Sequence, residues 1–80
     1  MKFSYDPKRN IAYLRLHEVA GAEVKTIPVN EEINIDIAAD GAVYGIELLN
    51  ANAQLIQADG GRLVVELGGE RLEVPLPVPA

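Results

Sequence analysis

The stretch Ile33-Asn34-Ile35-Asp36-Ile37-Ala38-Ala39-Asp40-Gly41-Ala42-Val43-Tyr44-Gly45-Ile46-Glu47 decides the fold. From Ile33 to Ile37 apolar and polar residues alternate strictly. That is the period of a strand with one buried face. Asp40-Gly41 can supply the positive φ angles of a two-residue type I′ turn. Counting outward from that turn sets Ile37 against Tyr44, Asp36 against Gly45, Ile35 against Ile46 and Asn34 against Glu47. Apolar meets apolar, so turn chemistry and alternation agree on one register.

Towards the N-terminus, a strand over Lys2–Tyr5 meets Asp6-Pro7-Lys8-Arg9-Asn10, then a second strand over Ile11–Leu16. Pro7 suits the second turn position because its φ is already fixed, and Asp6 can accept hydrogen bonds from the turn backbone. Asn10 tolerates the left-handed region. Residues 18–22 read as a loop. Glu23–Val29 reads as a strand broken late by Pro28, which belongs at a sheet edge or a strand end because it has no N–H. Asn30-Glu31-Glu32 turns the chain.

Towards the C-terminus, period two stops after Leu48-Leu49. Asn50 can cap a helix, and the Ala, Gln and Leu residues that follow favour one. One short helix is expected near residues 50–57, with Ala53 and Ile56, or Leu49 and Ala53, facing the sheet; a plain loop is the alternative. Asp59-Gly60-Gly61 turns the chain. Residues 62–75 form a hairpin through Gly68-Gly69, with Glu66 opposite Arg71, Val65 opposite Leu72 and Leu63 opposite Val74. Residues 76–80, rich in proline, form an extended or frayed tail. The fold expected is mainly β: a twisted antiparallel β-meander of hairpins, about six or seven strands, with one short helix.

The chain has 80 residues, 49% of them hydrophobic, and no cysteine. That allows one small domain over 1–80 with a thin core, and no disulfide scaffold. His17 is the single histidine, so a structural zinc site lacks ligands. No cofactor is expected, because the glycines form no phosphate-cradling motif. The net charge is −5. Residues 1–15 carry +3 and residues 16–80 carry −8. Direct nucleic-acid binding is therefore not expected, and an acidic face could meet a small basic protein. No apolar run reaches signal-peptide or membrane-spanning length, so no membrane association and a cytoplasmic location are expected.

One set of residues resembles a known family. Tyr5-Asp6, Ala12-Tyr13-Leu14-Arg15-Leu16, Asn34-Ile35-Asp36, Asp40-Gly41 and Gly45-Ile46-Glu47-Leu48-Leu49-Asn50-Ala51 together resemble short prokaryotic proteins catalogued as domain of unknown function 2283. The resemblance covers about residues 3–53 and leaves the hairpin 62–75 outside, as an extension. It implies no established enzyme activity and brings no catalytic residues with it. Some members look like the smaller partner of a toxin–antitoxin-type pair, which implies a protein-binding inhibitor.

For chemistry, Asp36 and Glu47 stand out: the counted register puts them on adjacent strands and one face. Tyr13, Arg15 and His17 join that face if the second strand packs beside this hairpin. A sharp reading makes Asp36 and Glu47 acid/base groups or metal ligands, with Arg15 binding an anion. A plainer reading makes the face a solvated or interface surface, with Arg15 neutralising a carboxylate. His17 sits at a strand end, where a surface residue is expected. Glu31, Glu32, Asp36 and Asp40 do not have the spacing of an EF-hand loop. Gly45 interrupts a strong strand, either to make room for Tyr13 or another large neighbour, or to let a partner approach the backbone.

Ile11, Val43 and Val64 fall on nominally outer faces. A thin sheet apolar on both sides can hide one of them by association, so a homodimer or higher homo-oligomer is expected. Alternatively the C-terminal hairpin folds over the second face and leaves a monomer. The leading functional expectation is a noncatalytic protein-interaction module, antitoxin-like in the sense above, with Tyr13, Arg15, Asp36, Gly45 and Glu47 as interaction candidates. The alternative is a small hydrolase or ligand-binding protein using Arg15, His17, Asp36 and Glu47.

Overall fold

The computed structural model describes residues 1–17, 23–57 and 60–78. Among these residues seven strands form: β1 (Lys2–Asp6), β2 (Ile11–Arg15), β3 (Val24–Pro28), β4 (Ile33–Ala38), β5 (Val43–Leu49), β6 (Arg62–Leu67) and β7 (Glu70–Pro75). One short, wide helical turn, Asn52–Gln57, separates β5 from β6. Strands β1 to β5 make one antiparallel sheet in the order β1-β2-β5-β4-β3, and β6-β7 is a separate hairpin. The mainly β, antiparallel, hairpin-built fold is the one expected. The strand order has one non-sequential neighbour. β2 pairs with β5, with Leu14 opposite Ile46 and Tyr13 opposite Glu47, so the chain crosses from β2 to the far edge before β3. The loop expected at 18–22 lies outside the described residues.

The β1–β2 turn follows from its sequence. Asp6 Oδ1 accepts from the backbone N–H groups of Lys8 (3.0 Å) and Arg9 (3.3 Å), and Asn10 takes φ +60°. The β6–β7 hairpin has the counted register, and Gly68 and Gly69 both have positive φ. Arg71 reaches Glu73 at 2.8 Å rather than the Glu66 opposite it.

The β4–β5 turn differs from the expected two-residue type. The loop is Ala39-Asp40-Gly41, and Gly41 alone has positive φ in it (+88°). Gly41 N donates to Ala38 O (2.9 Å), and Ala38 N donates to Ala42 O (2.8 Å). One left-handed residue suffices for a three-residue turn with a glycine bulge. Asp40 Oδ1 stabilises it by accepting from Ala42 N at 2.9 Å. Ile37 therefore faces Val43 and not Tyr44, and a bulge restores Asp36–Gly45, Ile35–Ile46 and Asn34–Glu47. Without the bulge a one-residue slip would turn a strand's apolar set to the wrong face. The carbonyl of the extra residue, Tyr44, accepts from Leu16 N (2.8 Å) and ties down the end of β2.

β3 is an edge strand, as Pro28 required. Val29 N donates to Ile33 O (2.9 Å). The antiparallel alternation then turns the nitrogen of Pro28 outward, away from β4, so no ladder bond is lost.

Asn50 does not cap the helical turn: it has φ +52°, whereas a capping residue is extended. The cap comes from Asn10. Its Oδ1 accepts from Asn52 N (2.7 Å) and its carbonyl from Ala51 N (3.1 Å). Ala51 is the residue buried completely there, while Leu49, Ala53 and Ile56 are half-buried.

The cross-strand register gives the five-stranded sheet two unlike faces. One carries the row Phe3, Leu14, Ile46, Ile35, Ile27 and the row Tyr5, Ala12, Leu48, Ile33. The hairpin β6–β7 lies over the β1-β2-β5 part of this face. Leu63 and Val65 enclose with Met1, Phe3, Leu14, Ile46 and Leu48 an open apolar cavity of about 500 Å³. Among the described residues only Ala12 and Ala51 are buried hydrophobics, and no large side chain is fully buried. No helix of the described residues is long and apolar enough to cross a membrane.

Candidate functional site

The other face of the sheet is polar, and β2, β5, β4 and β3 each place a side chain on it. The pairings align Lys2, Arg15, Gly45, Asp36 and Thr26 in one row, and Ser4, Tyr13, Glu47, Asn34 and Pro28 in the next. Asp36 and Glu47 therefore share a face, and β2 brings Tyr13 and Arg15 to it.

Tyr13 does not stay in its own row. Its ring crosses Gly45, and its hydroxyl donates to Asp36 Oδ2 at 2.7 Å, two strands away. A Cβ at position 45 would stand 2.6 Å from Tyr13 Cζ. Glycine is required here for room rather than for φ. Thr26 Oγ1 donates to Asp36 Oδ1 at 2.6 Å. Each oxygen of Asp36 thus holds one hydroxyl. Beside them Asn34 Nδ2 donates to Glu47 Oε1 at 3.0 Å.

This setting raises the Tyr13 phenol well above its ordinary pKa. Partial burial is the largest cause, followed by the hydrogen bond to Asp36 and its charge; Tyr44 and Glu47 add smaller contributions. Tyr13 is thus held as a neutral donor and is a poor proton acceptor at ordinary pH. The arrangement is suited to fixing side chains across four strands.

The remaining candidates fall apart from this cluster or at its rim. Arg15 lies opposite Gly45 near the end of β2. His17 is exposed beyond that strand, and its backbone N–H reaches Tyr44 O at 3.4 Å. Two further hollows are described. One of about 470 Å³ is walled by residues from Glu23–Lys25 and Ile37–Gly41, the other of about 260 Å³ by residues of β1, its turn and β2. Neither is lined by Arg15, Asp36 or Glu47. Among the described residues no three His, Cys, Asp or Glu side chains gather in a way that could hold a metal ion. Glu31 is exposed, and Glu32 is drawn into a different cluster.

That second cluster is one that sequence reasoning missed. At the sheet end formed by the β1–β2 turn, the β3–β4 turn and the helical turn, Tyr5 OH donates to Asn52 Oδ1 (2.6 Å). Asn52 Nδ2 donates to Pro7 O (3.1 Å) and Asn10 Nδ2 to Asn50 Oδ1 (3.3 Å). Asn50 Nδ2 donates to Glu32 Oε2 (3.2 Å), and Gln54 Nε2 to the carbonyls of Leu49 (2.7 Å) and Glu32 (3.2 Å). The amides stitch three chain segments together. The only signal in sequence was the density of Asn and Gln at 50–57, which reads equally as loop. Thr26 was missed for another reason: its partner became visible only once β3 was placed beside β4.

A family model described as "Protein of unknown function (DUF2283)" matches residues 2–52. The match takes in the whole five-stranded sheet and ends at the start of the helical turn, before β6 and β7. It agrees with the resemblance read over about 3–53. No curated protein and no solved structure matches the chain.

Proposed function

Since the chain belongs to this family of unknown function, its role is read from its own surfaces, and we propose that it is a noncatalytic protein-interaction module whose first partner is a second copy of itself. The observation that carries this is the incomplete core. Nearly half of the residues are hydrophobic, yet no large side chain is fully buried among the described residues.

Area supports the same reading. A folded monomer of 8.6 kDa exposes about 4,700 Å². This chain exposes 5818 Å². The excess, about 1,100 Å², exceeds the ~800 Å² each partner contributes to a standard interface. The radius of gyration is 13.8 Å, against about 12 Å for a compact chain of this length.

Light scattering across a concentration series tests the proposal. A species of twice the chain mass, with a thermal midpoint that rises with concentration, is the expected result. A monomer at every concentration, with a fixed midpoint, overturns it.

The antitoxin-like role, with a small basic protein on the acidic surface, is the second reading. Its support is the −8 charge of residues 16–80. A small basic protein held in fixed ratio and released by salt would support it. The cysteine-free composition fits a cytoplasmic setting. The hydrolase alternative has less support, because both Asp36 oxygens hold hydroxyls and the candidates lie on a sheet face.

A further inference from the structure

The apolar side of the molecule is unevenly covered. The register of β6–β7 puts Leu63, Val65, Leu67, Leu72 and Val74 on one face of the hairpin. Leu63 and Val65 wall the cavity against residues of β1, β2 and β5 and the N-terminal Met1. The rest of that hairpin face projects: Leu67 is 62% exposed, Leu72 59% and Val74 46%. Strands β3 and β4 supply none of the cavity wall. Their side chains on the same sheet face are Lys25, Ile27, Ile33, Ile35 and Ile37; Ile27 is 44% exposed and the other three isoleucines are half-buried.

One chain thus carries an apolar projection and a partly covered, mainly apolar strip on the same side. We propose that two copies close about a two-fold axis, the β6–β7 hairpin of each lying on the β3–β4 strip of the other. The proposal rests on the self-association reading above and adds which surfaces meet. A second copy is the occupant because it satisfies both half-covered surfaces at once, and the excess exposed area is of the size one protomer contributes. Charge fits as well. Lys25 shares the sheet face with Ile27, and Glu70 shares the hairpin face with Leu72. In the proposed pair Lys25 belongs to the strip and Glu70 to the hairpin, so the two surfaces that meet carry opposite charges. Such rim charges add little affinity but fix orientation. The contact is isologous, so it closes at two copies.

The chain has no cysteine, so introduced thiols are the only ones. Val74→Cys and Ile27→Cys chains, both substituted at exposed positions, are mixed, allowed to exchange and oxidised mildly. Mass spectrometry then separates the mixed disulfide from the two symmetric ones. The expected result is a mixed product well above the statistical half. A second variant, Leu72→Glu, should give a folded monomer by light scattering and circular dichroism. Dimers that yield only statistical or symmetric disulfides, or that survive Leu72→Glu, overturn this arrangement and leave self-association standing. A wild-type monomer at all concentrations overturns both.

Discussion

At the scale of the residue, the polar face turns on Tyr13 reaching Asp36 across Gly45. Gly45→Ala would place a methyl group 2.6 Å from Tyr13 Cζ, so the ring must move and its 2.7 Å hydrogen bond to Asp36 is strained. The expected loss is about 1–3 kcal/mol in a urea unfolding series. Tyr13→Phe keeps the ring and removes the hydroxyl, leaving Asp36 the bond from Thr26; about 1–2 kcal/mol is expected. The two substitutions share a partner, so the double variant should lose less than the sum. The raised pKa of Tyr13 adds a pH dependence of fixed sign. The native state holds the phenolic proton more tightly than the unfolded chain, whose tyrosines titrate near ~10. The resulting stabilisation is fully present below that value and is lost as pH rises through the folded pKa. Unfolding free energy should therefore decline above pH ~10, and Tyr13→Phe should remove its share of the slope.

At the scale of the element, the helical turn depends on a residue 42 positions before its first residue. Asn10 meets the Ala51 amide with its carbonyl and the Asn52 amide with its side chain. Asn10→Gly keeps access to φ +60° and loses only the side-chain bonds. The expected cost is about 0.5–1.5 kcal/mol, the net worth of a typical hydrogen bond. Hydrogen exchange separates the two roles: the Asn52 amide should lose protection while the Ala51 amide keeps its backbone partner. This dependence also shows where sequence stops being readable. Gly68-Gly69 and the alternation around it determine β6–β7 locally, and that register was countable. The inner rows of β4–β5 were countable for the same reason. The extra residue in that hairpin was not, because the carbonyl of Tyr44 is drawn to the N–H of Leu16, on a strand whose neighbour the sequence does not name. On the polar face, the shared side of Asp36 and Glu47 was legible from one hairpin. The bridging by Tyr13 and Thr26 needed the β2–β5 and β3–β4 pairings. The asparagine cluster needed three segments at once, and no local pattern encodes that.

At the scale of the whole molecule, a five-stranded sheet has two faces to satisfy and one short hairpin to cover one of them. The polar face is internally bonded through Tyr13, Asp36, Thr26, Asn34 and Glu47. The apolar face is only partly roofed, over β1, β2 and β5. The family match ends before the hairpin, so the roof lies outside the matched region. On this view the sheet is the common part, and the roof decides how much apolar surface is left for another chain. An interface there would be the most sensitive region to charge substitution, whereas Arg15 and His17 lie on or beside the opposite face.

The outward nitrogen of Pro28 has a consequence for what the protein does not become. Val24-Lys25-Thr26-Ile27-Pro28-Val29 is an exposed edge carrying one charge and several residues that favour strands. Without the proline, it has the composition of a segment that templates cross-β growth. The pyrrolidine ring removes an outward donor where an incoming strand would need one. Pro28→Val should leave the β3–β4 ladder intact, since no bond to β4 used that nitrogen. It should also let incubated samples form thioflavin-positive fibrils that the parent protein does not form. One imino acid at the rim would then separate a discrete molecule from an open-ended filament.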